Sequence, residues 1–276
     1  MMSSKLKRFF LLFIVFFWGV LFGSVIFFPW SNFVDFINSK SDIIHIESAG
    51  FSFFPFGVKL VGVEIRPREG KEIHFKEMKI SPSLFSPLYL VFGKFKGSLK
   101  LKTEQSVLTI NFTAKNIFRP EKMSLSSVYL TGDISSEELM SIFDLGGKGN
   151  LKIELKLNGD IRTPNSLEGK FLLSSSDKDK TIIVLKNTNK LHVPVEGEFS
   201  LGKVNAEVTI KNGVMTLDRF EMRGGNIEGS GKGSLIIKNP FFESQIDLTF
   251  ELKTNLLNIP SQTIRLKGTL SSPKIG

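Results

Sequence analysis

The clearest sheet pattern in this chain is Gly149-Asn-Leu-Lys-Ile-Glu-Leu-Lys-Leu-Asn-Gly-Asp-Ile-Arg-Thr-Pro164. Its apolar residues, each followed by a polar one, are Leu151, Ile153, Leu155 and Leu157. Successive side chains of a strand point to opposite faces, so a period of two predicts a half-buried β-strand rather than a helix. We expect this stretch to be one strand of a sheet with an apolar face.

The end of this stretch returns elsewhere in the chain. Leu157 to Pro164 is echoed by Leu266-Lys-Gly-Thr-Leu-Ser-Ser-Pro273 and, more loosely, by Leu60-Val-Gly-Val-Glu-Ile-Arg-Pro67. Each copy has a glycine where a strand bends most easily, and a proline where pairing stops because proline has no N–H to donate. Weak internal similarity of this kind predicts repeated strand and turn units.

The whole pattern predicts a mainly β fold. Many short alternating runs are separated by Gly, Asn and Pro turns, which indicates an antiparallel sheet. One apolar face cannot stay in water, so the sheet must curl on itself, pack on a second sheet or hold something apolar. We expect a strongly curved half-pipe or flattened barrel. The residues predicted to line its apolar trough are Leu151, Ile153, Leu155, Leu157, Ile246, Leu248, Phe250 and Leu252.

Few helices are expected outside the membrane segment. Asn32 to Ser39 predicts a short helix that either lies on the bilayer or caps the following domain. Two prolines between Ser81 and Gly93 preclude a strand and favour a helical turn closing one end of the sheet. Ser135 to Gly147 predicts a helix of about three turns that begins with a capping box. That box would join Ser135 and Glu138.

Residues 9–28 carry no charge and predict a transmembrane helix, since twenty helical residues rise about 30 Å. Lys5, Lys7 and Arg8 precede this run, so the positive-inside rule keeps the N-terminus cytoplasmic. A cleaved signal peptide is the alternative; it is disfavoured because its apolar run is usually about 7 to 15 residues long. The predicted division is 1–8 cytoplasmic, 9–28 transmembrane, 29–44 juxtamembrane linker and 45–276 a β-domain on the other side of the membrane, which indicates a single-pass membrane protein.

Composition excludes several classes of site. The net charge of +9 permits contact with anionic lipid or acidic proteins, but no nucleic-acid recognition motif accompanies it. The chain contains no cysteine, which excludes disulfides and thiolate chemistry. His45, His74 and His192 are too scattered to predict a metal site. Gly224 to Gly233 lacks the residues of a phosphate loop and predicts turns between strands.

Four lysines form the least ordinary surface feature: Lys94, Lys96, Lys100 and Lys102. At a spacing of two they share one face of a strand, where they could contact anionic head groups or an acidic partner. The alternative is a solvated face that guards a sheet edge. No nucleophile, metal or acid/base constellation emerges, so we predict neither an enzyme nor a cofactor.

The Leu-x-Gly-x-Ile/Leu-x-x-Pro endings, the run from Asn212 to Gly233 and the single anchor resemble the AsmA-like superfamily. The short length and the ending Leu266 to Ile275 are more similar to the type II secretion system protein N family. This resemblance implies a non-enzymatic component of a type II secretion system that is anchored in the bacterial inner membrane, with residues 45–276 as a periplasmic β-domain. The alternative that it implies is a lipid-binding module carrying acyl chains between membranes. The partners expected are the bilayer through residues 9–28, secretion or envelope proteins, and lipid acyl chains, but no nucleic acid.

Overall fold

The structure is a computed structural model and describes residues 12–13, 15–16, 18–20, 23–24, 26–53, 56–66, 72–83, 86–141, 146–160, 162–175, 181–185, 197–240, 243–254 and 261–276. The predicted membrane segment, 9–28, lies partly outside these residues. Its described residues from 12 to 26 are helical. Within the described chain, the structure contains no helix with the length and hydropathy needed to cross a bilayer. The transmembrane assignment therefore stays a prediction.

After this segment, from Trp30 onward, the described elements are three helices, two single 3₁₀ turns and sixteen strands. The helices are α1 (Trp30–Lys40), α2 (Ser86–Val91) and α3 (Ser136–Ser141), and the 3₁₀ turns are Pro120–Lys122 and Pro164–Ser166. The strands are β1 (Ile44–Ser52), β2 (Gly57–Ile65), β3 (Ile73–Pro82), β4 (Lys94–Lys102), β5 (Val107–Lys115), β6 (Ser124–Ser135), β7 (Gly146–Lys148), β8 (Asn150–Asn158), β9 (Glu168–Ser175), β10 (Thr181–Leu185), β11 (Gly197–Lys211), β12 (Val214–Arg223), β13 (Ile227–Ile236), β14 (Gln245–Thr254), β15 (Gln262–Thr269) and β16 (Ser272–Ile275).

The strands form one antiparallel sheet whose neighbours follow the order of the chain. Only β7 and β10 leave this order, since β10 pairs with both β11 and β7. The order begins with β1 and ends with β16, so the described sheet is open rather than closed. The predicted mainly β, antiparallel fold is confirmed. The stretch of strongest alternation is β8, which pairs with β6 and β9.

The chain divides into two compact units. Unit 1 consists of residues 1–104 and 113–123, and contains α1, α2 and β1 to β4. Unit 2 consists of residues 105–112 and 124–276, and contains α3 and β6 to β16. Strand β5 contributes residues to both units.

In unit 1, α1 packs on the sheet. Val34 is buried against Ile46 and Val63, with Ile37 beside them. The side-chain amide of Asn38 also bonds both main-chain groups of Ile46: its Nδ2 donates to the carbonyl oxygen, and its Oδ1 accepts from the N–H, each at 2.9 Å. The short helix predicted near residues 32–39 is confirmed. It caps the domain that follows.

The repeated glycines of the sequence share one backbone property. Gly62, Gly159 and Gly268 all have positive φ, at 61°, 111° and 117°. An L side chain rarely adopts this conformation because its Cβ meets the backbone. At Gly159 a Cβ would lie 2.2 Å from the carbonyl oxygen of Ser166. The similarity between the three endings therefore reflects a common backbone requirement.

Two local predictions need correction. The run from Gly224 to Gly233, predicted as turns, turns only at residues 224–226 and then forms strand β13. The helix predicted from Ser135 is α3, and Ser135 itself ends β6. Its hydroxyl does accept from the N–H of Glu137 at 3.2 Å. The Glu138 carboxylate instead accepts from the N–H of Gln105 at 3.1 Å, so the reciprocal half of the capping box is replaced by a tertiary contact.

Candidate functional site

The apolar side of β8 continues across its neighbours in unit 2. Leu155 pairs with Leu130 of β6 on one side and with Phe171 of β9 on the other. Opposite residues of an antiparallel pair point to the same side of the sheet, so these three side chains lie next to one another. The other apolar residues of β8, in parallel rows on the same side, are Leu151, Ile153 and Leu157.

The ladder carries this side of the sheet from β9 to β14. Phe171 pairs with Val208, and Val208 pairs with Leu217. Leu217 pairs with Gly233, which pairs with Leu248 of β14. The other trough residues predicted on β14, at a spacing of two, are Ile246, Phe250 and Leu252. All eight predicted residues thus share one side of unit 2, which we call the apolar face. Their binding role remains a prediction.

The apolar face is partly exposed. Among the eight residues, Leu151 and Ile246 are buried, with 2% and 8% exposure. The other six keep intermediate exposure. The described helix of unit 2, α3, packs against β6, β7 and β10. Apolar side chains that stay partly in water gain free energy when a ligand or partner covers them.

Glycines of β13 shape the middle of the apolar face. Gly231 pairs with Phe220 on one side and with Phe250 on the other. Their ring centroids are 5.5 Å apart and the ring planes make an angle of 81°. A Cβ on Gly231 would lie 2.6 Å from the Phe250 ring. The glycine therefore allows the two rings to meet over the strand, in the edge-to-face arrangement that aromatic pairs favour.

The opposite side of unit 2 is charged. Lys156 Nζ lies 3.0 Å from Glu154 Oε1, and Arg265 Nε lies 3.2 Å from Asp247 Oδ1. The hydrogen bond from Arg265 holds the pKa of Asp247 below its usual value of 3.8. Exposed pairs of this kind contribute little to stability, because water and salt screen them. Their main consequence is that the two sides of the sheet differ sharply in chemistry.

An open cavity of about 470 Å³ lies on the charged side of unit 2. Its lining includes Asp133, Lys152 and Glu154, together with Leu172. A site that buries an acyl chain needs a predominantly apolar lining. The lining of this open cavity is mixed, since Val107 lies beside the charged residues, and the two carboxylates and the lysine make it a weaker candidate for an acyl chain than the apolar face.

In unit 1, the predicted lysine row lies on one side of β4. All four of its lysines, Lys94, Lys96, Lys100 and Lys102, are exposed. The ladder adds two lysines that the sequence analysis missed: Lys100 pairs with Lys79 of β3, and Lys79 pairs with Lys59 of β2. Recognising them required the register between β2, β3 and β4, which alternation within one strand does not supply. The observed cationic surface is broader than the predicted one.

One carboxylate lies within this cationic surface. Glu77 pairs with Lys102 in the ladder, and its Oε2 lies 2.8 Å from the Nζ of Lys59. Lys79 Nζ lies 3.5 Å from the other oxygen. The hydrogen bond from Lys59 is the largest cause that holds the pKa of Glu77 below its usual value of 4.5, and burial opposes it. The carboxylate thus relieves part of the repulsion between the lysines.

The histidines contact acidic residues of unit 1. His74 Nδ1 lies 3.5 Å from Glu64 Oε1, and its Nε2 lies 3.6 Å from Glu72 Oε2. His45 pairs across the ladder with Glu64. His192 lies outside the described residues. Within the part of the chain that the structure describes, no group of three or more such side chains has an arrangement that could hold a metal ion.

The chain has no recognisable relative in the comparisons with known proteins. No protein-family model, curated protein or solved structure matches it. The resemblance to the type II secretion system protein N family and to the AsmA-like superfamily therefore stays a prediction.

Proposed function

We propose that this protein is a non-enzymatic, membrane-anchored component of a bacterial envelope that carries lipid acyl chains on the apolar face of unit 2. The observation that supports this most directly is the row of apolar side chains from β6 to β14, interrupted at Gly233 of β13 and only partly covered on that side of the sheet. At about 25 cal/mol per Å², covering on the order of 300 Å² of such a surface contributes about 7 kcal/mol.

The dimensions of this face suit lipid. Seven consecutive strands of the sheet order, from β6 to β14, carry this face. At a spacing of about 4.8 Å, they extend over about 29 Å in the hydrogen-bonding direction. One leaflet of a bilayer is about 15 Å thick in its hydrocarbon part. The face is therefore large enough for more than one acyl chain. We further propose that the sheet curves into a half-pipe around this cargo.

Anchoring follows from the predicted span at 9–28, with the N-terminus cytoplasmic and the β-sheet periplasmic. The described side chains of that segment support this proposal, because Leu12, Val15 and Phe16 are 66%, 62% and 70% exposed. Large apolar side chains on a helical surface favour a lipid environment over water. Membership of a type II secretion apparatus is a second proposal, supported only by the sequence resemblance.

Native mass spectrometry of the full chain, purified in a detergent without phospholipid, tests the lipid proposal. Two variants of neighbouring residues on β14 form a matched pair. Phe250→Glu places a charge on the apolar face, and we expect bound lipid to fall by on the order of tenfold or more. Thr249→Glu places the same charge on the opposite side, where Thr249 pairs with Lys232 and Arg265, so lipid should be retained.

Comparing the two variants also distinguishes lipid bound to the apolar face from lipid that surrounds the anchor, because both variants retain the lipid around the anchor. Circular dichroism checks that both remain folded, and Ile264→Asn, opposite Phe250 on β15, is the alternative if Phe250→Glu does not fold. Lipid content that is equal in the wild type, Phe250→Glu and Ile264→Asn contradicts the proposal. Empty protein that co-purifies with secretion subunits supports the secretion proposal instead.

A further inference from the structure

One end of the unit 1 sheet gathers two connections and the turn after β5. Ser52 pairs with Gly57 across the β1–β2 turn. Val58 pairs with Ile80 near the end of β3, so the β3–β4 connection leaves the sheet at that same end. After β5, the N–H of Ile117 donates to the carbonyl oxygen of Gly93 at 3.2 Å. We call this end of unit 1 the tip.

The tip presents large apolar side chains to solvent. Phe92 is 76% exposed and Phe118, which lies beside Gly93, is 71% exposed. Val91 and Phe53 are exposed to 68% and 72%. Scattered single exposures are ordinary, but large apolar side chains brought together by adjacent connections indicate a surface that another body covers.

Cationic side chains surround these apolar groups. The exposed ones are Lys94, Lys96, Lys115, Arg119 and Lys122, and the exposed acidic residue among them is Glu121. Lys96 Nζ lies 5.9 Å from the centroid of the Tyr89 ring. Long basic side chains beside aromatic ones suit the boundary between a bilayer core and anionic head groups: the rings enter the boundary and the cations stay at the head groups.

The predicted membrane segment contacts the same end of unit 1. Trp18, within the 9–28 segment, packs edge-on against Phe56 of the β1–β2 turn, with ring centroids 5.0 Å apart. Phe56 in turn packs against Phe51 at 5.3 Å. The tip is therefore an end of unit 1 that lies beside the predicted membrane segment.

We propose that the tip docks on the anionic surface of the membrane that contains the anchor, with Phe92 and Phe118 at the interface and the surrounding cations on lipid head groups. This docking would hold unit 1 at a fixed orientation to the bilayer. It does not depend on the cargo of the apolar face, and the two proposals are tested by separate measurements.

The chain has no cysteine, so single-cysteine variants report on one position each. Phe92→Cys and Phe118→Cys, labelled with an environment-sensitive fluorophore, are placed as full chains in nanodiscs containing phosphatidylglycerol. We expect blue-shifted emission and strong quenching by lipids with spin labels in their acyl chains. Ile73→Cys is the matched control, since Ile73 is an apolar residue 41% exposed at the other end of β3 and should stay unquenched.

The charge contribution is tested by Lys94→Gln, Lys96→Gln, Arg119→Gln and Lys122→Gln combined. We expect quenching at positions 92 and 118 to fall towards the value at 73. The matched control removes four exposed lysines of unit 2, by Lys211→Gln, Lys232→Gln, Lys253→Gln and Lys274→Gln, and should leave quenching unchanged. Labels at 92 and 118 that are no more quenched than the label at 73 overturn the proposal. Equal quenching in nanodiscs of phosphatidylcholine alone overturns its anionic part.

Discussion

Single side chains of unit 1 decide how its first strand is held. Asn38 satisfies both main-chain groups of Ile46, and Val34 fills the space between α1 and the sheet. The sequence predicted the helix from its apolar spacing. It did not predict the role of Asn38, because a bond to a residue eight positions away depends on how the helix docks.

Asn38→Ala should lower the free energy of unfolding by about 1 to 3 kcal/mol, since it leaves two main-chain groups of Ile46 without these partners. The measurement is urea unfolding of the full chain in detergent. Asn32→Ala on the same helix is the control: Asn32 is exposed, and its amide oxygen lies 3.5 Å from the Ser31 hydroxyl. Equal losses in the two variants would contradict this role for Asn38.

Glu77 should titrate below 4.5 in the folded protein, because Lys59 stabilises its charged form. The folded pKa lies below the unfolded value, so this contribution to stability is present above the unfolded pKa. It is lost as the pH falls through the folded pKa. NMR titration of the Glu77 carboxyl measures the value directly.

In Lys59→Met the pKa of Glu77 should rise towards 4.5. Lys79→Met should raise it less, because the hydrogen bond from Lys59 is the largest cause of the shift. A Glu77 pKa that is unchanged in Lys59→Met would show that another group causes the shift.

Strands were the elements that the sequence predicted best. Alternation placed β8, β2 and β14 correctly, because each has a half-buried face and a polar one. The first part of strand β13 was missed, because Gly229, Gly231 and Gly233 occupy the positions that would place apolar side chains on the apolar face. In a single sequence, such glycines look like turns. Only the aromatic residues of the neighbouring strands show why glycine is needed there.

The repeated glycines give an element-scale prediction. Gly159→Ala should destabilise the protein by about 1 to 3 kcal/mol, because its φ is 111° and the new Cβ would meet the carbonyl oxygen of Ser166. Gly50→Ala in β1 is the control, since a Cβ there meets nothing within 4 Å. Chemical unfolding compares the two variants. A larger loss in Gly50→Ala than in Gly159→Ala would contradict this account.

At the scale of the whole chain, the sequence predicted a mainly β protein with one antiparallel sheet, and the structure shows both. The division into two units was not predicted, because the boundary passes within β5 and leaves no linker in the sequence. The sequence predicted which residues of β8 and β14 lie on the apolar face. It did not predict how the strands between them continue that face. The path of this face from strand to strand depends on the register of the five pairings from β8 to β14.

The orientation of the chain across the membrane is a prediction about the whole molecule. If residues 9–28 span the inner membrane with the N-terminus inside, an alkaline phosphatase reporter fused after Gly276 should be active in the periplasm. A green fluorescent protein fusion at the same position, exported unfolded, should be dark. The reverse pair of results would place the β-sheet in the cytoplasm and contradict the proposed location.

The first strand has one further consequence. The unpaired edge of an outermost strand can form hydrogen bonds with a strand of a neighbouring molecule. Repeated pairing of this kind is how many sheet proteins form fibres. On β1, the side-chain amide of Asn38 already bonds the N–H and the carbonyl oxygen of Ile46. These are the groups that a residue of a partner strand would need at that position. The helix that attaches the sheet to its N-terminal segment thus also interrupts growth of the sheet into a polymer from this side.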